Sequence, residues 1–176
     1  MKRLGIVTVL LILFSISATS QGQVYENGYV VKVGDKAPDF TIKEAGGKTY
    51  KLSDLKGKVV MLQFTASWCS VCRKEMPFIE SEIWQPGKKD GLVLIGIDRD
   101  EAEDVVAQFH KDMSITYPLA LDPDADIFAL YAQKEAGVTR NVIIDRNGKI
   151  IFLTRLFERP EFDKMKDVIF KELSGK

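Results

Sequence analysis

A chain of 176 residues has room for one domain with a sizeable core, and 45% hydrophobic with 28% charged residues is ordinary for a folded globular protein. Basic and acidic residues balance at 25 each, so the clustered positive charge of a nucleic-acid binder is missing. Two cysteines and one histidine are too few to build a four-ligand zinc site from those residue types alone.

Met1-Lys2-Arg3 is a short basic start before the apolar run Leu4 to Phe14, and small or polar residues follow from Ser15 to Ser20. This is the order of a secretory signal peptide, with Ala18 and Ser20 suited to the residues before a cleavage point. Residues 1–20 are therefore expected to be a leader cleaved near Ser20, which makes the mature protein exported and periplasmic, in an oxidising compartment. A membrane span needs about 20 apolar residues, so membrane attachment is expected only if the leader stays uncleaved. Residues 21–30 are polar and read as a flexible lead-in, and residues 31–176 as one domain.

Val30 to Val33 reads as a short edge strand. Phe40-Thr41-Ile42 and Thr49-Tyr50-Lys51-Leu52 flank Gly46-Gly47 and suggest a small hairpin. Ser53-Asp54-Leu55-Lys56-Gly57 looks like one helical turn closed by glycine. Val59 to Phe64 is an apolar run broken only by Gln63, as expected of a strand covered on both faces. A helix follows Cys69, kinked at Pro77 and ended by Pro86-Gly87. Leu92 to Ile97 is a second buried strand. Asp100 with Glu103 offers a capping box for a helix whose buried face is Ala102, Val105, Val106, Phe109 and Met113. Tyr117 to Leu121 is extended, and a short helix spans Ala125 to Ala132. Val142-Ile143-Ile144-Asp145 and Lys149 to Leu153 flank Asn147-Gly148, a hairpin signal. Pro160 begins a last helix with Phe162, Met165, Ile169 and Leu173 at helical spacing. The sum is an α/β domain with a mixed sheet and helices on both faces.

The chemistry sits at the junction of the first long strand and its helix, where Cys69 and Cys72 are the only cysteines. At a helix start, unpaired N–H groups and the positive dipole end favour the Cys69 thiolate. One turn brings Cys72 beside it, close enough for a disulfide. Cys69 then attacks a substrate disulfide and Cys72 attacks Cys69 to release the reduced product. A purely structural disulfide closing so short a loop removes little unfolded-state entropy. Two inert buried thiols are the other alternative, against which Ser70, Arg73, Lys74 and Glu75 suggest an exposed rim.

Four segments carry a family resemblance: Gly34-Asp35-Lys36-Ala37-Pro38-Asp39-Phe40, Leu52 to Lys58, Ala66-Ser67-Trp68-Cys69-Ser70-Val71-Cys72-Arg73-Lys74-Glu75-Met76-Pro77, and Ile144 to Ile150. In this order they resemble the TlpA/ResA-like thioredoxin family of exported thiol–disulfide oxidoreductases, related to AhpC/TSA proteins. The resemblance implies a thioredoxin fold with an N-terminal β-hairpin extension and an inserted strand–helix segment, and no cofactor. It also implies Trp68 beside the site, Cys69 as nucleophile, Cys72 as resolving thiol, and Glu75 as an acid that manages their protons. Implied partners are disulfide-containing exported proteins, apocytochromes awaiting haem (cytochrome c biogenesis) among the family's substrates, and a membrane or soluble thiol donor. A monomer is expected.

Two departures set the chain apart from that pattern. Val71 stands where most relatives have proline, next to Ser70 in the dipeptide that tunes redox poise. Thr139 stands where the family has a cis-proline facing the cysteines. A cis bond before threonine costs about 2.5–4 kcal/mol, so a trans loop is expected. Arg140 beside it is a candidate to reach a thiolate or a partner carboxylate. Gln63 holds the place where thioredoxins bury an acid, which leaves Glu75 for that task.

Three rival readings are weaker. Peroxiredoxins carry a proline seven and a threonine three residues before the reactive cysteine; from Cys69 these positions are Leu62 and Ala66, and from Cys72 they are Thr65 and Cys69. A copper module needs a histidine near the cysteines, and His110 lies on another helix. A non-catalytic peptide-binding domain is suggested only by Thr139.

Overall fold

The computed structural model describes residues 23–175; the leader expected over residues 1–20 lies outside the described residues. Near the N-terminus, β1 (Thr41–Lys43) and β2 (Thr49–Lys51) form the expected antiparallel hairpin. The central sheet holds β3 (Val59–Thr65), β4 (Leu92–Arg99), β5 (Leu119–Asp122), β6 (Arg140–Ile144) and β7 (Ile150–Arg155) in the order β5-β4-β3-β6-β7. The β5-β4-β3 pairings are parallel and the β3-β6-β7 pairings antiparallel, which makes the sheet mixed. Helices α1 (Ser70–Phe78), α2 (Gln85–Gly87), α3 (Glu103–Asp112), α4 (Asp126–Ala129) and α5 (Arg159–Leu173) complete it.

Every residue of β3 is buried, and its side chains alternate between two cores. Val59 and Met61 join Met76 and Ile79 of the α1 region, Val106 and Phe109 of α3, and Phe162, Met165 and Ile169 of α5. Val60, Leu62 and Phe64 face the other way, toward Ile42 of the hairpin, Phe128 of α4, Tyr131 and Tyr29. Period-two alternation with no exposed face is the signature of a central strand, and it explains why β3 reads as a continuous apolar run.

Several local expectations are corrected. Val30 to Val33 forms no strand; Tyr29 makes an isolated bridge with Ala132, and the Val30 N–H bonds the Tyr131 carbonyl. Within the described part of the lead-in, Tyr29 is buried. The helix after Cys69 passes through Pro77 into a widened turn over Ile79–Trp84, continues through Pro86, and stops at Gly91, whose φ of 90° is left-handed. Pro86 falls in the first turn after the widened segment, where a missing N–H costs little.

Asp100 does not cap α3, because its own φ is 63° and the residue preceding the helix is Ala102. Val105 and Ala102 face solvent, which leaves Val106 and Phe109 as the buried pair. The helix expected over Ala125 to Ala132 shortens to Asp126–Ala129, where Asp122 accepts the Ile127 and Phe128 N–H groups.

Candidate active site

Strand β3 ends at Thr65, and the loop Ala66-Ser67-Trp68 delivers Cys69 to the start of α1. Two side chains clamp this loop. Glu101 accepts both the Ser67 N–H, at 2.6 Å, and the Ser67 hydroxyl, while Arg73 Nε donates to the Ser67 carbonyl at 2.8 Å. Neither Glu101 nor Arg73 carries a sequence signal for this task, because ionic loop contacts leave no periodicity.

Cys69 is the N-cap of α1, with an extended backbone, and its sulfur accepts the Cys72 N–H at 3.1 Å. The helix thus presents an unpaired donor to this sulfur. Cys69 and Cys72 are joined as a disulfide with their Cα atoms 5.3 Å apart. Cys69 keeps 7% of its surface and Cys72 none, so a partner can reach only Cys69. Trp68, 60% exposed, stands beside it. Ser70 is exposed and Val71 half-buried on the first turn of α1.

Thr139 lies directly against the disulfide. Its hydroxyl is 3.2 Å from Cys69 Sγ and 3.3 Å from Cys72 Sγ. Disulfide sulfurs carry no proton, so the hydroxyl is the donor. No cis peptide bond occurs among the described residues, so Thr139 approaches the sulfurs from a trans loop. Arg140 does not reach outward to a thiolate. It is fully buried, with Nε donating to the Gly137 carbonyl at 3.0 Å, Nη2 donating to the Asn27 carbonyl, and its guanidinium 4.4 Å from the Tyr29 ring centre.

Glu75 is not part of an exposed rim, although Arg73 and Lys74 are. It is 1% exposed, one turn after Cys72 on the buried side of α1, and Oε1 accepts the Asn141 amide at 2.7 Å. Asn141 belongs to a polar row that crosses three strands, since Gln63 pairs with Asn141 and Asn141 with Thr154. The Asn141 amide also donates to the Thr154 hydroxyl at 2.9 Å, and Tyr117 donates to Gln63 Oε1 at 2.7 Å. On β4 the row continues at Gly96, where the missing side chain leaves space for Leu119 and Tyr117.

Within this row Gln63 Nε2, Glu75 Oε2 and Asn141 Oδ1 are buried without partners. Burial pushes the Glu75 carboxyl up to about 7 against the opposing pull of the Asn141 amide. A carboxyl tuned to that range both takes and gives a proton at neutral pH. Asp98, buried at the end of β4 with both oxygens unpartnered, is pushed up to about 9 by burial and by the Glu101 carboxylate. It is therefore a neutral acid at pH 7.

His110 sits on α3, with Nε2 3.0 Å from the Tyr117 carbonyl. It is not among the groups gathered at the disulfide.

Comparison with known proteins fits this geometry. The model of the AhpC/TSA family matches residues 33–153. A Bacillus cereus protein named thiol-disulfide oxidoreductase ResA is 32% identical over 156 residues, covering 86% of this chain and 88% of that one. A solution structure of a Bacteroides thetaiotaomicron protein assigned as a protein disulfide isomerase superposes with a TM-score of 0.81. The two are 58% identical, over 84% of this chain and 93% of that one. A crystal structure from Chlorobium tepidum, assigned as the thiol:disulfide interchange protein DsbE, gives 0.72 at 29% identity, over 81% and 99% of the two chains.

Proposed function

The chain belongs to the AhpC/TSA family and is a thiol–disulfide oxidoreductase with a thioredoxin fold, and from that premise we propose that it reduces or exchanges disulfides of exported proteins through Cys69 and Cys72. The observation that carries this reading is the asymmetry of the pair: one sulfur caps a helix at the surface beside Trp68, and the other is fully buried behind it.

In the reducing direction, the Cys69 thiolate attacks one sulfur of a substrate disulfide. A Cys69–substrate bond forms, the substrate bond breaks, and the first substrate thiolate leaves. The Cys72 thiol then loses its proton and attacks Cys69 Sγ, re-forming the Cys69–Cys72 disulfide and expelling the second substrate thiolate. Two electrons have passed to the substrate, which takes up two protons. Glu75, one turn from Cys72 and ionising near neutrality, receives the Cys72 proton. Thr139 donates to whichever sulfur carries negative charge.

The two cysteines are the only ones in the chain, so the reduced pair is restored by a separate thiol donor, membrane-bound or soluble. Export is supported by the basic, apolar and polar order of residues 1–20.

The test is a Cys72→Ala protein offered to a disulfide-bonded substrate. A mixed disulfide through Cys69 should accumulate, and Cys69→Ser should capture nothing. Equal capture by both variants would remove Cys69 from the attacking role.

A further inference from the structure

Among the described residues five other than glycine have a left-handed backbone, and four of them, Asn27, Asp100, Ser114 and Ala125, are small or polar. The fifth is Leu156, with φ at 68°. A Cβ in this region crowds the following carbonyl, so a bulky side chain there is an outlier and glycine is the residue that fits without cost. Burial only partly offsets that cost. Leu156 keeps 41% of its surface exposed and belongs to neither core.

Its place in the sheet ties Leu156 to the disulfide. Strands β6 and β7 pair Arg140 with Arg155, and the Leu156 N–H donates to the Thr139 carbonyl at 3.2 Å, which carries the antiparallel register one step further. Leu156 thus stands opposite the residue whose hydroxyl contacts both sulfurs. The pairing of Phe64 with Arg140 brings the end of β3, the start of β6 and the end of β7 to one end of the sheet. Cys69 opens to solvent at this end, next to the exposed Trp68. The loop before α1 and the end of β7 therefore each bring one exposed, large apolar residue to the end where the reactive sulfur is reached.

Backbone strain kept at a functional site, where the fold gains little from it, points to contact with a ligand. We propose that Leu156 is a specificity-determining residue that packs against an apolar side chain flanking the disulfide of a substrate polypeptide. Substrate is the occupant because Leu156 lies at the end of the sheet where the substrate disulfide has to meet Cys69. The proposal rests on the disulfide-exchange reading and names a feature of the substrates that reading requires.

The experiment measures reduction of two disulfide-bonded peptides that differ only in Leu or Ser next to one cysteine, with dithiothreitol as electron donor. The wild type should show a KM about tenfold lower for the Leu peptide. Leu156→Ala and Leu156→Gly should erase that preference, while kcat and the rate with a small aromatic disulfide reagent stay within about twofold. Leu156→Met keeps an apolar side chain of similar size and should retain the preference. Equal KM values for the two peptides in the wild type, or a preference kept in folded Leu156→Ala, overturn the proposal and leave the exchange reading standing. Equal losses with both peptides and the small reagent also overturn it, because Leu156 would then act on the disulfide itself. A wild type that reduces no disulfide brings down the exchange reading and the proposal with it.

Two further measurements complete the test. Both truncations remove the leucine side chain and glycine alone is free of the Cβ penalty, so Leu156→Gly should unfold at a higher temperature than Leu156→Ala. The reverse order would mean that Leu156 is not held in the left-handed region, and overturns the proposal. Sedimentation of the wild type as a dimer that Leu156→Ala converts to a monomer would give this surface to a second copy of the chain, and overturns it as well.

Discussion

Glu75, one helical turn after Cys72, and Asn141 meet 2.7 Å apart with both side chains cut off from solvent. One oxygen of Glu75 is satisfied by this contact and the other has no partner. Burial therefore favours the protonated form and pushes the carboxyl up to about 7, well above the usual carboxylate range.

A raised folded pKa means that the native protein keeps a proton which the unfolded chain has already released. The stability linked to Glu75 is fully present below the unfolded value, declines as pH rises, and is lost as pH passes through about 7. A shift of this size corresponds to about 3 kcal/mol. Glu75→Gln should abolish that decline, so its stability relative to wild type should grow between about pH 5 and about pH 8. Urea denaturation across this range measures it; parallel pH profiles would show that Glu75 ionises like an ordinary carboxylate.

Thr139→Val removes the hydroxyl that contacts both sulfurs at nearly unchanged volume. The Cys69 thiolate in the reduced protein should lose a donor, its pKa should rise, and its alkylation at neutral pH should slow roughly three- to tenfold. Thr139→Ser keeps the hydroxyl and should stay near wild type. Iodoacetamide kinetics as a function of pH distinguishes the two. A Val variant with an unchanged profile would confine Thr139 to packing.

At Gly96 an added Cβ would lie 2.3 Å from Leu119 Cδ2, in the space that Leu119 and Tyr117 occupy beside Gln63. Gly96→Ala should cost about 1–3 kcal/mol through overpacking. Tyr117→Phe should cost a similar amount, about 1–3 kcal/mol, because Gln63 Oε1 loses its donor in the interior. Both are read from denaturation midpoints, and wild-type stability in either would contradict this packing.

Trp68 is exposed beside Cys69. Trp68→Ala should leave stability within about 0.5 kcal/mol while raising KM for protein disulfides, with little change toward a small disulfide reagent. Equal effects on large and small substrates would mean that Trp68 shapes the loop and not the docking surface.

How much was legible in the sequence depended on how local each signal was. The strands over Val59–Thr65 and Leu92–Arg99, the Asn147-Gly148 hairpin and the last helix were readable because periodicity and turn residues act within a few positions. The cysteine pair was readable for the same reason. The burial of Glu75 was not: among Arg73, Lys74 and Glu75 nothing in composition separates the one that faces the sheet, and only the Gln63–Asn141–Thr154 register makes a polar place for it. The burial of Arg140 was not legible either, because Asn27 and Tyr29, which hold it, lie more than 100 residues away. Asp100 satisfied the capping pattern by spacing alone, yet it adopts a left-handed backbone and pairs with Arg99.

Function depends on Cys69 and Cys72 cycling reversibly between disulfide and dithiol. Equilibration of the purified protein in glutathione buffers of graded ratio, followed by acid quench and thiol counting, tests it most directly. A single two-electron transition that superposes from the oxidised and the reduced side is the predicted result. A pair that stays closed at every ratio, or that does not re-form once opened, would rule out a redox-active disulfide.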